Sequence, residues 1–396
     1  NVLLLTSHHI AFDGWSIGVL TQELSTLYSA FRDGKENPLP ALPIQYADYA
    51  CWQRDWLKGE ILQQQMAFWE HYLSELPQVH SLPLDKTRPA QQTFNGKSFS
   101  QTLDNSLMTQ IHRVCKQYDV TLFMFLQTSF SVLLGRFGNS RDVVIGTPIA
   151  GRTQQEVERL IGFFVNTLVL RTKLTSTQTF HSLLQTNKQH ILEAYDHQHV
   201  PLEMLVDKLQ LERNASVSPL FQVMLALQNN EHGELRLDDL ELRSIQQEYD
   251  VSFFDLNLTA VETVEGLTIN WSYNTDLFFQ SSIERLARCF KTVLASIVRE
   301  PEANIYDLAY LSEEDFSEAL PSALAERQNE KGGSLLFAFD HHVVRQPDKI
   351  AVQFGEEMRT YEELDQYSSE LAETLKKYKH NMSAVGLSLP ASVDLV

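Results

Sequence analysis

Positive charge is scarce in this 396-residue chain: 32 Lys and Arg stand against 51 Asp and Glu, for a net charge of -19. Nucleic acid and anionic membrane both demand a cationic surface, so neither is expected as a main partner. Cysteine is scarcer still. Cys51, Cys115 and Cys289 lie far apart, each in an apolar helical pattern. Their spacing argues against a disulfide framework and against a metal site, and favours reduced core thiols in a cytoplasmic protein. No apolar run reaches the length of a membrane span, and no basic-then-apolar leader is visible. A Gly-rich phosphate loop, a Gly-x-Ser-x-Gly elbow and an internal repeat are missing too, which removes the usual signatures of kinases, nucleotide dehydrogenases and serine hydrolases.

What remains is ordinary globular material, 43% hydrophobic and 21% charged, long enough for two or three domains. Its most informative stretch is residues 6–16, Thr-Ser-His-His-Ile-Ala-Phe-Asp-Gly-Trp-Ser. An apolar run at residues 2–5 precedes it, and Ile17, Leu20, Leu24, Leu27, Tyr28 and Phe31 follow at helical spacing. This places His8 and His9 where a buried strand ends and a helix begins. Neighbouring strand side chains point to opposite faces, so one histidine is expected at a cleft and the other packed inward. Asp13 has two open roles, orienting an imidazole or pairing with an Arg, and Gly14 permits a tight start to the helix.

Farther on, helices are expected over residues 16–33, 44–57 and around Met66, Trp69 and Leu73. The Tyr46, Tyr49, Trp52 and Trp56 face reads as core. Residues 81–95, aperiodic and carrying Pro83 and Pro89, read as a linker between two lobes. Beyond it, strands are expected at 98–103, 143–149, 163–170, 235–242, 254–258 and 267–273. Helices are expected near 107–118, 122–133, 179–195 and 283–297. Helices on a mixed sheet make an α/β protein. Asn166 and Thr167 are polar residues in an apolar strand and need partners if buried. Residues 312–334 read as an interdomain linker, and a new unit opens at 335, with Thr360 placed to cap a helix.

Several motifs together resemble the condensation domain of nonribosomal peptide synthetases. His8, His9, Asp13 and Gly14 match its His-His-x-x-x-Asp-Gly signature. Tyr46-Ala-Asp-Tyr-Ala-Cys-Trp52, Ile161-Gly-Phe-Phe-Val-Asn-Thr167 with Arg171, His197-Gln-His-Val-Pro-Leu-Glu203, and Arg213, Ser216, Pro219 and Leu220 resemble later family segments, in the right order. His199 stands where the family usually has Asp, and Leu202 where it has Phe. Thr360-Tyr-Glu-Glu-Leu364 and Leu387-Ser-Leu-Pro390 resemble the start of an adenylation domain.

The resemblance implies two chloramphenicol-acetyltransferase-like lobes: a first-lobe remainder over 1–80 and a second lobe over 96–311. An N-terminal fragment of an adenylate-forming domain would follow over 335–396. Both chain ends read as cuts through folded units, with the family's N-terminal stretch missing and the fragment expected to be inactive alone. The implied reaction joins the α-amine of an acceptor aminoacyl thioester to a donor aminoacyl or peptidyl thioester. Both ride on phosphopantetheine arms of upstream and downstream carrier proteins. ATP and Mg would serve only a complete adenylation domain, and no metal is expected. His9 is the expected chemical residue, with His8 supporting it, Asp13 structural through a salt bridge to an Arg, and Gly14 beside the arm. Trp15, Asn166 and Thr167 are further cleft candidates. An epimerization-type domain and a catalytically silent recruitment module are the rival readings on the same fold.

Overall fold

The computed structural model describes residues 2–209, 214–228, 235, 237, 239–240, 242, 251–312, 315, 335–354 and 357–376. Residues 1–317 form one compact unit and 318–396 a second. The first unit opens with α1 (Gly14–Arg32), α2 (Tyr46–Trp56) and α3 (Gly59–Tyr72). It continues with β1 (Gly96–Asp104), α4 (Asn105–Gln117), α5 (Leu122–Phe137), β2 (Asp142–Ile149), β3 (Asn166–Lys173), α6 (Phe180–Asp196) and α7 (Leu202–Lys208). It closes with β4 (Val223–Gln228), β5 (Leu256–Thr263), β6 (Gly266–Asn274) and α8 (Gln280–Arg299). The strands form one sheet in the order β1-β6-β5-β4-β2-β3. β4 pairs in parallel with β2 and β5, and the other pairs are antiparallel.

Local chemistry sets the element boundaries. Asp104 caps α4 by accepting from the Leu107 amide at 3.0 Å, Thr121 caps α5 through Met124 at 3.2 Å, and Thr179 caps α6 through Ser182 at 3.2 Å. Alternation along β5 and β6 turns Leu256, Leu258, Ile269, Trp271 and Tyr273 onto one face. Helices α5 and α8 cover that face. Phe130, Trp271 and Phe290 meet there edge to face at 5.7–6.1 Å. Each such buried side chain contributes about 1.5–3 kcal/mol. At the β3 edge of the sheet, Met66 and Trp69 of α3 pack with Leu168 and Leu170 of β3 and Ile191 of α6. Trp69 donates to the His197 carbonyl at 3.0 Å.

Helices α1 to α3 bring no strand of their own among the described residues, and the packing does not break at residues 81–95. The expected linker is a strap bound along the sheet. Gln222 Nε2 donates to the Gln78 carbonyl at 3.1 Å, and His80 Nε2 lies 2.8 Å from Asp255 Oδ2. Arg88 donates to both Asp255 oxygens, at 3.1 and 2.5 Å. Side-chain clamps of this kind leave no periodicity to read. Burial pushes the Asp255 carboxyl up, but the bonds and charges of His80 and Arg88 outweigh it and hold the group below the ordinary carboxylate range. A carboxyl depressed in the fold adds stability above its unfolded pKa of about 3.9 and loses it as pH falls through the lower folded value. Asp255→Asn is therefore expected to lower the melting temperature at neutral pH. It should also shrink the further drop on acidification, both read by circular dichroism; an undiminished drop would remove Asp255 from the account.

Five expectations need correction. Residues 2–5 form no strand: Val2, Leu3, Leu4 and Leu5 are 65–76% exposed, because apolar side chains make a strand only where a ladder partner exists. β3 begins at Asn166 and not at 163, since residues 162–164 are held by side chains of α1 and α2. The expected strand at 235–242 lies partly outside the described residues. The rest of it is irregular, with a Leu240 to Leu237 turn bond of 3.0 Å. Cys51 is exposed and not in the core, whereas burial pushes the Cys115 and Cys289 thiols up to about 12 and about 11. Asp315, bound to Arg288 at 2.9 Å, belongs to the first unit past residue 311.

In the second unit, α9 (Leu335–Arg345), β7 (Ile350–Phe354), β8 (Glu357–Thr360) and α10 (Tyr361–Lys376) are described. β7 and β8 form an antiparallel pair. Thr360 and Glu363 bond reciprocally at 3.2 and 2.9 Å, a capping box for α10. Residues 387–390 lie outside the described residues. No single described helix is long and apolar enough to cross a membrane.

Candidate active site

Asp13 starts α1 and anchors what surrounds it. Its Oδ1 accepts from the Ser16 amide at 2.8 Å and the Ser16 hydroxyl at 2.7 Å, and its Oδ2 from the Phe164 amide at 3.1 Å. Arg152 reaches the two oxygens at 3.1 and 3.4 Å. The side chains of Arg152 and Asp13 are 1% and 0% exposed. Arg152 also donates to the carbonyls of Val157 and Leu160, at 2.5 and 2.8 Å, and lies over the Phe164 ring at 4.0 Å. Burial lowers the pKa of Arg152 against the pull of Asp13, but a guanidinium starts so high that it stays charged. The acid is engaged in a cap and an ion pair, and none of its bonds goes to His9.

His9 opens a 3-10 turn, His9–Ala11, and its ring is exposed. Nδ1 lies 2.6 Å from the Phe12 carbonyl oxygen. A carbonyl only accepts, so in the neutral ring Nδ1 carries the hydrogen and Nε2 keeps a free lone pair. The Phe163 ring meets the imidazole edge to face, with centroids 5.0 Å apart. His8 is exposed as well, contrary to the inward packing that a strand would impose. Its Nδ1 accepts from the Ile10 amide at 3.1 Å and caps the turn.

Gly14 has open space where a Cβ would stand, with nothing within 4 Å, and its φ is ordinary. Neither packing nor backbone strain requires glycine there. Trp15 donates to the Glu158 carbonyl at 2.9 Å. Asn166 is fully engaged: it donates to the Gln198 and Val200 carbonyls at 2.8 and 2.7 Å and accepts from the Thr167 and Leu202 amides at 2.9 and 3.3 Å. It fastens β3 to residues 198–202. Thr167 is half-buried in the ladder opposite Pro148. His199 meets Trp56 edge to face at 4.8 Å, and burial lowers its pKa. Arg213 lies outside the described residues.

The structure thus gathers His8, His9, Asp13 and Gly14 around one turn and leaves Trp15, Asn166 and Thr167 with structural partners. It adds Arg152, Ser16 and Phe163, which the sequence did not single out. A Gly-Arg pair directly after an apolar strand, Gly151-Arg152, was the one available signal for the first.

This histidine turn, clamped to the sheet-flanking loop by a buried acid and arginine, lies within the stretch that a family comparison matches. Residues 1–320 match the condensation domain family, and the chain belongs to it. It is 42% identical over 95% of its length to a component of the linear gramicidin synthase of Brevibacillus parabrevis, and 36% identical over 95% to a component of the plipastatin synthase of Bacillus subtilis. The chain spans only 8% and 10% of those two proteins. Among solved structures it is similar to the X-domain from teicoplanin biosynthesis. That match has a TM-score of 0.69 and 27% identity, covering 77% of this chain and 70% of that one. It is also similar to a four-domain nonribosomal peptide synthetase bound to AMP and glycine. There the TM-score is 0.67 with 25% identity, covering 95% of this chain and 29% of that one.

Proposed function

We propose that the first unit, residues 1–317, is the condensation domain of a peptide synthetase elongation module, joining two carrier-bound acyl groups in an amide. The unit that follows is the start of its adenylation domain. The carrying observation is His9, an exposed imidazole whose Nδ1 is committed to Phe12 and whose Nε2 is free, in a chain of this family. For the second unit, support comes from the Thr360–Glu363 cap and the 95% coverage by the four-domain synthetase. ATP and Mg would concern that domain only when complete. The cytoplasm is the proposed location, in keeping with three unpaired cysteines.

In the proposed reaction the acceptor amine nitrogen attacks the donor thioester carbon, the C–N bond forms, and the C–S bond breaks. An α-amine has a pKa of about 8, so no strong base is needed to make the nucleophile. As the bond forms, the nitrogen becomes acidic. His9 Nε2 takes that proton or holds the cationic nitrogen by a hydrogen bond, and the proton leaves with the thiol. The fixed Nδ1 hydrogen keeps Nε2 in the acceptor form that this step requires. The arms that present both groups are thin, and the open space at Gly14 suits one of them.

The test is a single-turnover assay on the synthetase that carries this sequence, with both carriers loaded. Amide product on the acceptor carrier is expected, and its absence from folded protein with intact His9 would overturn the reading. In the same assay Gly14→Leu is expected to cut product formation by about tenfold or more, through displaced substrate, with the melting temperature unchanged. Wild-type turnover by Gly14→Leu would remove the arm from that space.

A further inference from the structure

We propose that Phe163 is a positioning residue for His9, and that the polar clamp around Asp13 serves the chemistry by holding Phe163 in place; the inference rests on the reading of His9 above. Three successive residues are tied by side chains from α1 and α2. The Gly162 amide donates to Ser16 Oγ at 3.1 Å, and its carbonyl lies 3.0 Å from the same oxygen, whose single hydrogen goes to Asp13 Oδ1. The Phe163 carbonyl accepts from the Tyr46 hydroxyl at 2.7 Å. The Phe164 amide donates to Asp13. Approach is so close that a methyl group on Gly162 would run into the Tyr46 ring. Backbone this constrained fixes the place from which the Phe163 side chain leaves the chain.

That side chain does not enter the core. Phe164 next door is 4% exposed, whereas Phe163 is 36% exposed with its ring against His9. His9 itself has one polar anchor, the Nδ1 bond to Phe12, and one bond leaves a ring free to tilt about its own axis. The Phe163 contact, with ring planes at 83°, supplies the second constraint and sets the direction in which Nε2 points. A base that must meet a nitrogen as it forms a bond depends on that direction. The surrounding bonds of Ser16, Tyr46 and Asp13 then converge on one outcome, the plane of the imidazole.

The experiment is single-turnover condensation by the full synthetase, with its carriers loaded. Phe163→Ala is expected to lower the rate by about 10- to 100-fold, with less than about a twofold change in the apparent KM for the loaded carrier. Phe163→Tyr, which keeps the ring edge, should restore the rate to within about threefold of wild type. Tyr46→Phe, which releases only the Phe163 carbonyl, should lower the rate in the same direction. It carries the test if the melting curve of Phe163→Ala shows a folding defect. In a His9→Ala background, Phe163→Ala should cause no further loss, because a residue acting through His9 has nothing left to act on. Full additivity of the two losses, or wild-type rates for Phe163→Ala or Tyr46→Phe, would overturn the inference. If His9→Ala is itself as fast as wild type, the reading of His9 fails first; if it is slow while Phe163→Ala is fast, only the positioning role fails.

Discussion

Replacing His9 by Ala is expected to slow amide formation by about 10²- to 10⁴-fold, the span that a lost proton acceptor commonly costs. The melting temperature should hardly move, because the ring is exposed and its single hydrogen bond runs to a carbonyl that water can serve instead. The residual rate measures what alignment of the two thioesters achieves alone, since positioning can supply more than general-base help. Rate and stability thus separate. A folded His9→Ala protein that condenses at the wild-type rate would sink the assignment, and a protein that unfolds would mean that the turn has been misread. His8→Ala touches the same turn differently. It removes the acceptor for the Ile10 amide, so its effect should come through loosening of the 3-10 turn, and His8→Asn, which can still cap, should recover most of it.

How much of this site could be read in advance depends on how far each partner lies along the chain. Gly14 and the helical apolar pattern after it mark a helix start near Ser16 from local spacing alone, and α1 begins two residues earlier, at Gly14, with Asp13 as its cap. The alternation in β5 and β6, and the 3.6-residue stripe of α8, are equally local, and those elements were legible. Arg152 was not, because it lies 139 residues from Asp13 and no periodicity records which arginine a buried acid will meet. The same holds for residues 81–95 and for His80 just before them. His80, Arg88 and Gln92 are ordinary polar residues until Asp255, Gln222 and Ser218 are brought beside them, so an aperiodic strap reads as a linker. The histidine pair failed in another way. Apolar residues at 2–5 suggest a strand, but the 3-10 turn at His9–Ala11 replaces strand alternation with a tighter winding, and both rings end up exposed. Asn166, a polar residue in an apolar strand, signals a need for partners; that its side chain bonds to residues 167–202 only the fold reveals.

Arg152→Met is expected to destabilise the first unit by about 3–5 kcal/mol, because it strands a carboxylate out of water with only the neutral donors of Ser16 and Phe164. The reverse substitution should cost less. Asp13→Asn keeps an oxygen to cap α1, and the guanidinium it leaves behind still has the Val157 and Leu160 carbonyls and the Phe164 face. The double variant should be more stable than the two single losses added together, since the charge that makes each one costly is gone. Chemical denaturation of all four proteins reads the order directly, and additive losses would mean that the pair is not coupled. The ordering matters for function as well. The loop that Arg152 closes onto α1 is the one whose Phe163 faces His9, so the double variant, stable but without the clamp, should fold and still condense slowly. If instead it condenses as fast as the native protein, the buried pair serves stability alone and the orientation of His9 has another source.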